Sequence, residues 1–172
     1  MPRTMVYDID VAVPAADLHR DFTGVDYWEQ LVGFYESNGA RTELAHFQSS
    51  DAGTDIAFSH ILTSADFPAV ARPVLPSTFV VTREQHFDPF EPSAQRVNGS
   101  YRAVVPTVPV DIRGEYLLSD TATGSRMRLQ TQCTVRAPII GGQIEQLILG
   151  GMRTLFAEEG RFTSEWVTRH NP

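Results

Sequence analysis

Apolar and polar positions divide this chain into a strand, two short helices, a long run of strands and a closing helix. Residues 5–13, MVYDIDVAV, put Met5, Tyr7, Ile9, Val11 and Val13 on one side and Val6, Asp8, Asp10 and Ala12 on the other. That period of two predicts a half-buried strand. Pro14 opens a short helix that ends at Gly24, and Val25, Trp28, Leu31, Val32 and Tyr35 then recur at helical spacing. From residue 40 to 137 the period of two returns. Turn signals at Asp51–Gly53, Pro89–Pro92, Pro106–Pro109 and Asp120–Gly124 cut this stretch into six predicted strands, at 40–49, 54–64, 78–88, 95–104, 110–119 and 125–137.

The last of these strands shows its facing most clearly. Arg126, Arg128, Gln130, Gln132, Thr134 and Arg136 alternate with Met127, Leu129, Thr131, Cys133 and Val135, so the first set faces water. After Pro138 and Gly141-Gly142 the spacing becomes helical to about His170, roughly 28 residues and some 40 Å of helix. Its apolar stripe reads Ile144, Ile148, Gly151, Met152, Leu155, Glu159, Phe162 and Trp166. No repeat or linker interrupts the pattern, which predicts one domain over residues 1–172. Strands joined by short loops form an antiparallel sheet, and one long amphipathic helix can cover its apolar face. The expected class is therefore α+β, with a seven-stranded antiparallel sheet wrapped around the C-terminal helix and two short helices after the first strand.

Charge and composition narrow the function. The net charge of −7 and the 14 basic residues, all arginine and scattered, argue against nucleic acid as a partner. No apolar run approaches the roughly 18 to 20 residues of a membrane span, so stable insertion is not expected. The N-terminus carries acidic residues where a signal peptide has its apolar segment, and the lone Cys133 cannot form an internal disulfide. A cytoplasmic protein is expected. The five histidines show no metal-ligand spacing, and there is no phosphate loop, nucleophile elbow or HExxH motif. Neither a metal nor a cofactor is implied.

The order of elements, with Pro14 opening the first helix, Trp28 and Tyr35 on the second and APIIGGQIE leading into the last, resembles the START-like helix-grip superfamily. That superfamily includes pollen-allergen proteins, polyketide cyclases and dehydratases, and lipid-transport proteins. The resemblance covers nearly the whole chain and is nearest to a bacterial branch. It implies an apolar cavity between the sheet and the last helix.

Two kinds of residue bear on that cavity. Gly150 and Gly151 together oppose helix formation by about 2 kcal/mol. Gly151 falls on the predicted buried stripe, opposite inward-facing Gly99 and Gly114. Absent side chains there either make room for a ligand or let the sheet bend and the backbones approach. Inward Tyr7, Phe58, Tyr101, Tyr116, Met127, Met152 and Phe156 would line the space, joined by Trp28 and Leu155, and they are equally the makings of a plain core. The apolar, proline-rich segment 65–77 would close it as a lid, or lie packed down by its own Phe67 and Val74.

The second kind is polar. Glu159 sits near the centre of the stripe and needs a partner, and the alternation of Phe79, Val81 and Phe87 turns Arg83 and Gln85 inward to supply one. A structural Arg83–Glu159 pair is the first expectation and a ligand-gripping one the second. His60 shares the inward face with Phe58 and is either a hydrogen-bonded core residue or, with Glu159, a weak candidate for moving a proton. Three functions follow: carriage of a hydrophobic small molecule such as a lipid, isoprenoid or polyketide; cyclase- or dehydratase-like catalysis; and a ligand-free protein-interaction module.

Overall fold

The computed structural model describes residues 2–171. Seven strands form one antiparallel sheet in the order β1-β7-β6-β5-β4-β3-β2, where β1 is Arg3–Val11, β2 Arg41–Ser50, β3 Gly53–Thr63, β4 Thr78–Phe87, β5 Arg96–Val104, β6 Val110–Thr121 and β7 Gly124–Val135. Consecutive strands from β2 to β7 are neighbours, even across the long segment between β3 and β4, and the first strand closes against the last. The expected class and the order of elements hold, with strand ends displaced by a residue or two.

The register of β1 on β7 pairs Asp8 with Arg128 and Asp10 with Arg126 across the outer face. Each arginine donates through two nitrogens to its carboxylate, at 2.7–3.1 Å. These exposed pairs fix register more than they add stability. A bulge between Leu44 and His46 turns both Ala45 and His46 outward, so that Phe47 regains the inner face.

The helices α1 (Ala15–Phe22) and α2 (Val25–Ser37) carry the chain from one sheet edge to the other. Pro14 offers α1 no side-chain cap, and the Ala15 N–H instead donates to Asp120 Oδ1 at 2.8 Å, tying the helix start to the end of β6. Phe22, Tyr27 and Trp28 stack against one another and against Phe87 beneath, and the Trp28 indole donates to the Phe22 carbonyl at 2.9 Å. Trp28 is thus a core residue.

The 30-residue α3 (Gly141–His170) lies over β1 and β7. Its buried side differs from the predicted stripe. Glu145, Leu149, Phe156, Thr163 and Val167 are buried along with Ile144, Glu159, Phe162 and Trp166, which centres the covered face roughly 50° further round at about 100° per residue. Gly151 consequently lies at the exposed margin, and a Cβ on Gly150 or Gly151 would meet nothing within 4 Å. The expectation that Gly151 helps to empty the interior is overturned.

Gly99 and Gly114 do face inward, but their space is taken. A Cβ on Gly114 would collide with the Tyr101 ring, and one on Gly99 would come within 2.6 Å of the His86 carbonyl oxygen and 3.0 Å of the Phe87 ring. These glycines seat aromatic rings against the strand opposite, a close-approach role rather than a ligand void.

Candidate functional site

Two arrangements stand out inside the sheet. The first is a buried polar cluster. On β4, inward Arg83 and Gln85 are 3% and 6% exposed, and Glu159 on α3 is 8% exposed. Arg83 Nη2 donates to Glu159 Oε1 at 2.5 Å, and the Tyr35 hydroxyl from α2 donates to the same oxygen. The guanidinium also lies 5.4 Å from the centroid of the Phe58 ring. Three elements that meet only in the folded chain therefore converge on one carboxylate.

Burial would drain charge from Arg83, but the adjacent Glu159 carboxylate, joined by the Tyr35 and Tyr116 hydroxyls, more than offsets it and holds the guanidinium well above its ordinary pKa. Burial, then Glu159, pushes the Tyr35 hydroxyl far up, so it stays a donor. His60 sits beside this group, with its Nδ1 2.9 Å from the Thr42 hydroxyl. Burial first and the Arg83 charge second lower it to about 4, so the imidazole is neutral at pH 7.

Gln85 accepts from the Tyr116 hydroxyl at 2.5 Å, and Tyr101 and Thr131 share a hydrogen bond one strand further on. Arg83 Nε, Arg83 Nη1 and Gln85 Nε2 are enclosed and have no partner. Native interiors rarely leave such donors unpaired.

The second arrangement is apolar. Ile144, Ile148, Met152, Leu155, Glu159 and Phe162 fall within about 80° of one another on α3. Ile144, Glu159 and Phe162 are buried, yet Ile148, Met152 and Leu155 between them are only half-buried. Leu149 and Phe156 in the same stretch are buried, so Ile148, Met152 and Leu155 form the half-open margin of the covered face, packed against the core from one side. Register puts half-buried Leu62, Val81, Ala103 and Val110 at the end of the sheet where α3 begins. The segment between β3 and β4 borders the same end through two short 3₁₀ turns, with Ala71 buried, Phe67 and Val74 packed on the core and the Phe67 ring 5.7 Å from Phe79.

Of the residues singled out by sequence, Arg83, Glu159, His60 and Phe58 come together, and Tyr101 and Tyr116 lie beside Gln85. Met152 and Leu155 lie half-buried along the margin of the covered face of α3. Trp28, Met127 and Phe156 are buried core, with Phe156 6.1–6.2 Å from the rings of Tyr101 and Tyr7. Sequence reasoning missed Tyr35 as a partner of Glu159, although its helical spacing from Trp28 and Leu31 marked the face. It also missed Glu145, whose Oε1 accepts from the Val135 N–H at 2.9 Å.

Two surface hollows are present, the larger of them bordered by Gln85 and Tyr101 of the polar cluster. One of about 690 Å³ lies mainly on the outer face of the sheet, among charged side chains such as Glu84, Arg102, Asp111 and Arg113 that pair with one another. One of about 440 Å³ lies by the start of α3, at Arg3 and Glu145. Among the described residues no group of His, Cys, Asp or Glu is arranged to hold a metal ion. No helix there is long and apolar enough to cross a membrane.

A sheet wrapped around a long terminal helix, with two short helices filling the gap, is the helix-grip fold. Solved structures confirm the class. The chain aligns with TTHA0849 from Thermus thermophilus at a TM-score of 0.58 and 12% identity, over 99% of this chain and 100% of that one. It aligns with Ara h 8.0201 at 0.57 and 11%, over 98% and 99%. Norcoclaurine synthase from Thalictrum flavum, in complex with dopamine and hydroxybenzaldehyde, aligns at 0.56 and 13%, over 99% and 88%.

Within that class the chain belongs to the DUF2505 family, described as a protein of unknown function, whose model matches residues 7–167. It is also 29% identical over 175 residues to the uncharacterized protein Rv0481c of Mycobacterium tuberculosis, covering 99% of both chains.

Proposed function

We propose that this protein binds a hydrophobic small molecule, of the lipid, isoprenoid or polyketide kind, between the sheet and α3. The observation that carries this reading is the row Ile148, Met152 and Leu155 along α3, apolar side chains that touch the core and stay half-exposed. Apolar side chains left half-buried on a core-facing stripe gain about 25 cal/mol per Å² when a guest covers them. Methionine at the centre of such a site adapts to guests of different shape. The segment 64–77 borders the opening and serves as its lid.

The helix-grip likeness supports the reading, since one structure of that fold holds dopamine and hydroxybenzaldehyde. It also supports a place in the START-like superfamily, and a chain with a single cysteine, which needs no internal disulfide, suits the reducing cytoplasm. Holding is favoured over turnover. Glu159, the acid a cyclase or dehydratase would use, is committed to Arg83 and Tyr35, and His60 is a weak base.

Native mass spectrometry of freshly purified protein, with solvent extraction, tests this. A co-purified apolar molecule, or saturable binding of an environment-sensitive apolar dye that Met152→Glu abolishes, is the expected result. Absence of both would overturn carriage and leave a core with a loosely packed helix.

A further inference from the structure

The three unpaired donors assign a chemistry to the guest. Arg83 and Gln85 are two residues apart on β4, both face inward, and Arg83 Nε, Arg83 Nη1 and Gln85 Nε2 have neither partner nor exposure to water. An enclosed donor without an acceptor is costly, and one carbonyl oxygen, with two lone pairs, relieves Gln85 Nε2 together with one of the two Arg83 nitrogens, whose free N–H bonds point apart. Around them, Glu159 Oε1 accepts from Arg83 Nη2 and Tyr35, the Gln85 oxygen accepts from Tyr116, and Tyr101 and Thr131 share a hydrogen bond. No acceptor in the cluster reaches the three free donors.

Charge decides which kind. Glu159 already neutralises Arg83 at 2.5 Å, so a second carboxylate would leave one buried negative charge without a counter-ion. A neutral oxygen leaves the pair balanced. We infer that the guest carries a neutral hydrogen-bond acceptor, a ketone, ester or amide carbonyl, at the end that enters first and is met by Arg83 and Gln85. This rests on the proposed binding of a hydrophobic molecule and names its polar end. The donors are enclosed, so a guest reaches them by displacing side chains from the half-open Met152 and Leu155 margin of α3.

The test compares three probes of equal chain length, an n-alkane, its methyl ketone and its fatty acid, each competing with an apolar dye. The methyl ketone is expected to bind roughly tenfold or more tighter than the alkane, as a hydrogen bond from a charged donor provides. The fatty acid at pH 8 should bind more weakly than the ketone. The double variant Gln85→Leu with Tyr116→Phe removes the free donor and its neighbour together, so both side chains stay satisfied and folding is preserved. It should keep alkane binding and lose several-fold of the ketone preference.

Equal affinity for alkane and ketone would overturn the acceptor and leave hydrophobic binding standing. Tightest binding of the fatty acid would overturn its neutrality. Full ketone preference in the double variant would remove Gln85 from the site. Failure of all three probes to displace the dye would sink the acceptor, and failure of the dye itself to bind would sink the hydrophobic site with it.

Discussion

Arg83 Nη2 on β4 lies 2.5 Å from Glu159 Oε1 on α3, and Tyr35 on α2 donates to the same oxygen. One carboxylate thus fastens the closing helix both to the sheet and to the helix pair. In a buried pair each charge depends on the other more than the fold depends on the pair.

Arg83→Met should therefore cost about 3–5 kcal/mol, because Glu159 would remain buried with only the Tyr35 hydroxyl for company. At the size of this chain that lowers the thermal midpoint by roughly 10 °C. Adding Glu159→Leu to the same protein should recover most of the loss. If the single variant melts within a degree of the parent, the pair does not hold the helix.

His60 predicts a pH dependence. Its folded pKa of about 4, set by burial and then Arg83, lies below the ordinary histidine value of about 6.5. The unfolded chain therefore binds more protons between these values, and stability falls as pH drops from about 6.5 to 4, by roughly 3 kcal/mol at most. His19 is lowered too, by burial, and adds to the slope. His60→Gln keeps a partner for Thr42 and should flatten the curve over that window when urea midpoints are compared. An unchanged slope would show that His60 is solvated.

The glycines separate into two groups by substitution. Gly114→Ala drives a methyl into the Tyr101 ring and Gly99→Ala drives one toward the His86 carbonyl, so each should destabilise by about 1–3 kcal/mol. Gly150→Ala and Gly151→Ala meet open space in a helix and should each stabilise by up to about 1 kcal/mol. Denaturant titrations read the sign directly. Loss of stability in Gly151→Ala would mean that the helix middle is packed.

Cys133 is buried in β7, and burial, reinforced by Glu145 and Asp111, pushes its thiol up to about 12. Iodoacetamide at pH 8 should leave the native protein unlabelled and modify it fully in denaturant. Rapid native labelling, followed by mass spectrometry, would place the thiol near the surface.

Where periodicity was strong, the local pattern was enough. The alternation in residues 125–137 and in 5–13 gave β7 and β1 with their faces, and Phe79, Val81 and Phe87 were enough to turn Arg83 and Gln85 inward. An inward arginine and a glutamate near the helix stripe left few other matches, so the Arg83–Glu159 pair was legible from the residue pattern alone. Those features depend on side-chain direction along one element, which the chain encodes locally.

The rotation of α3 about its axis, by contrast, was decided by contact with β1 and β7, and that rotation moved Gly151 to the margin and buried Glu145. Likewise Tyr101 over Gly114 and Tyr35 on Glu159 join residues from strands and helices far apart in sequence. No period within an element reports which neighbour fills a missing side chain. The sequence by itself determined the elements, their order and the inward polar residues. Only tertiary packing decided that the strand glycines seat rings, that Ile148, Met152 and Leu155 fall on the half-open margin of α3, and that Arg83 and Gln85 hold donors without an acceptor in reach.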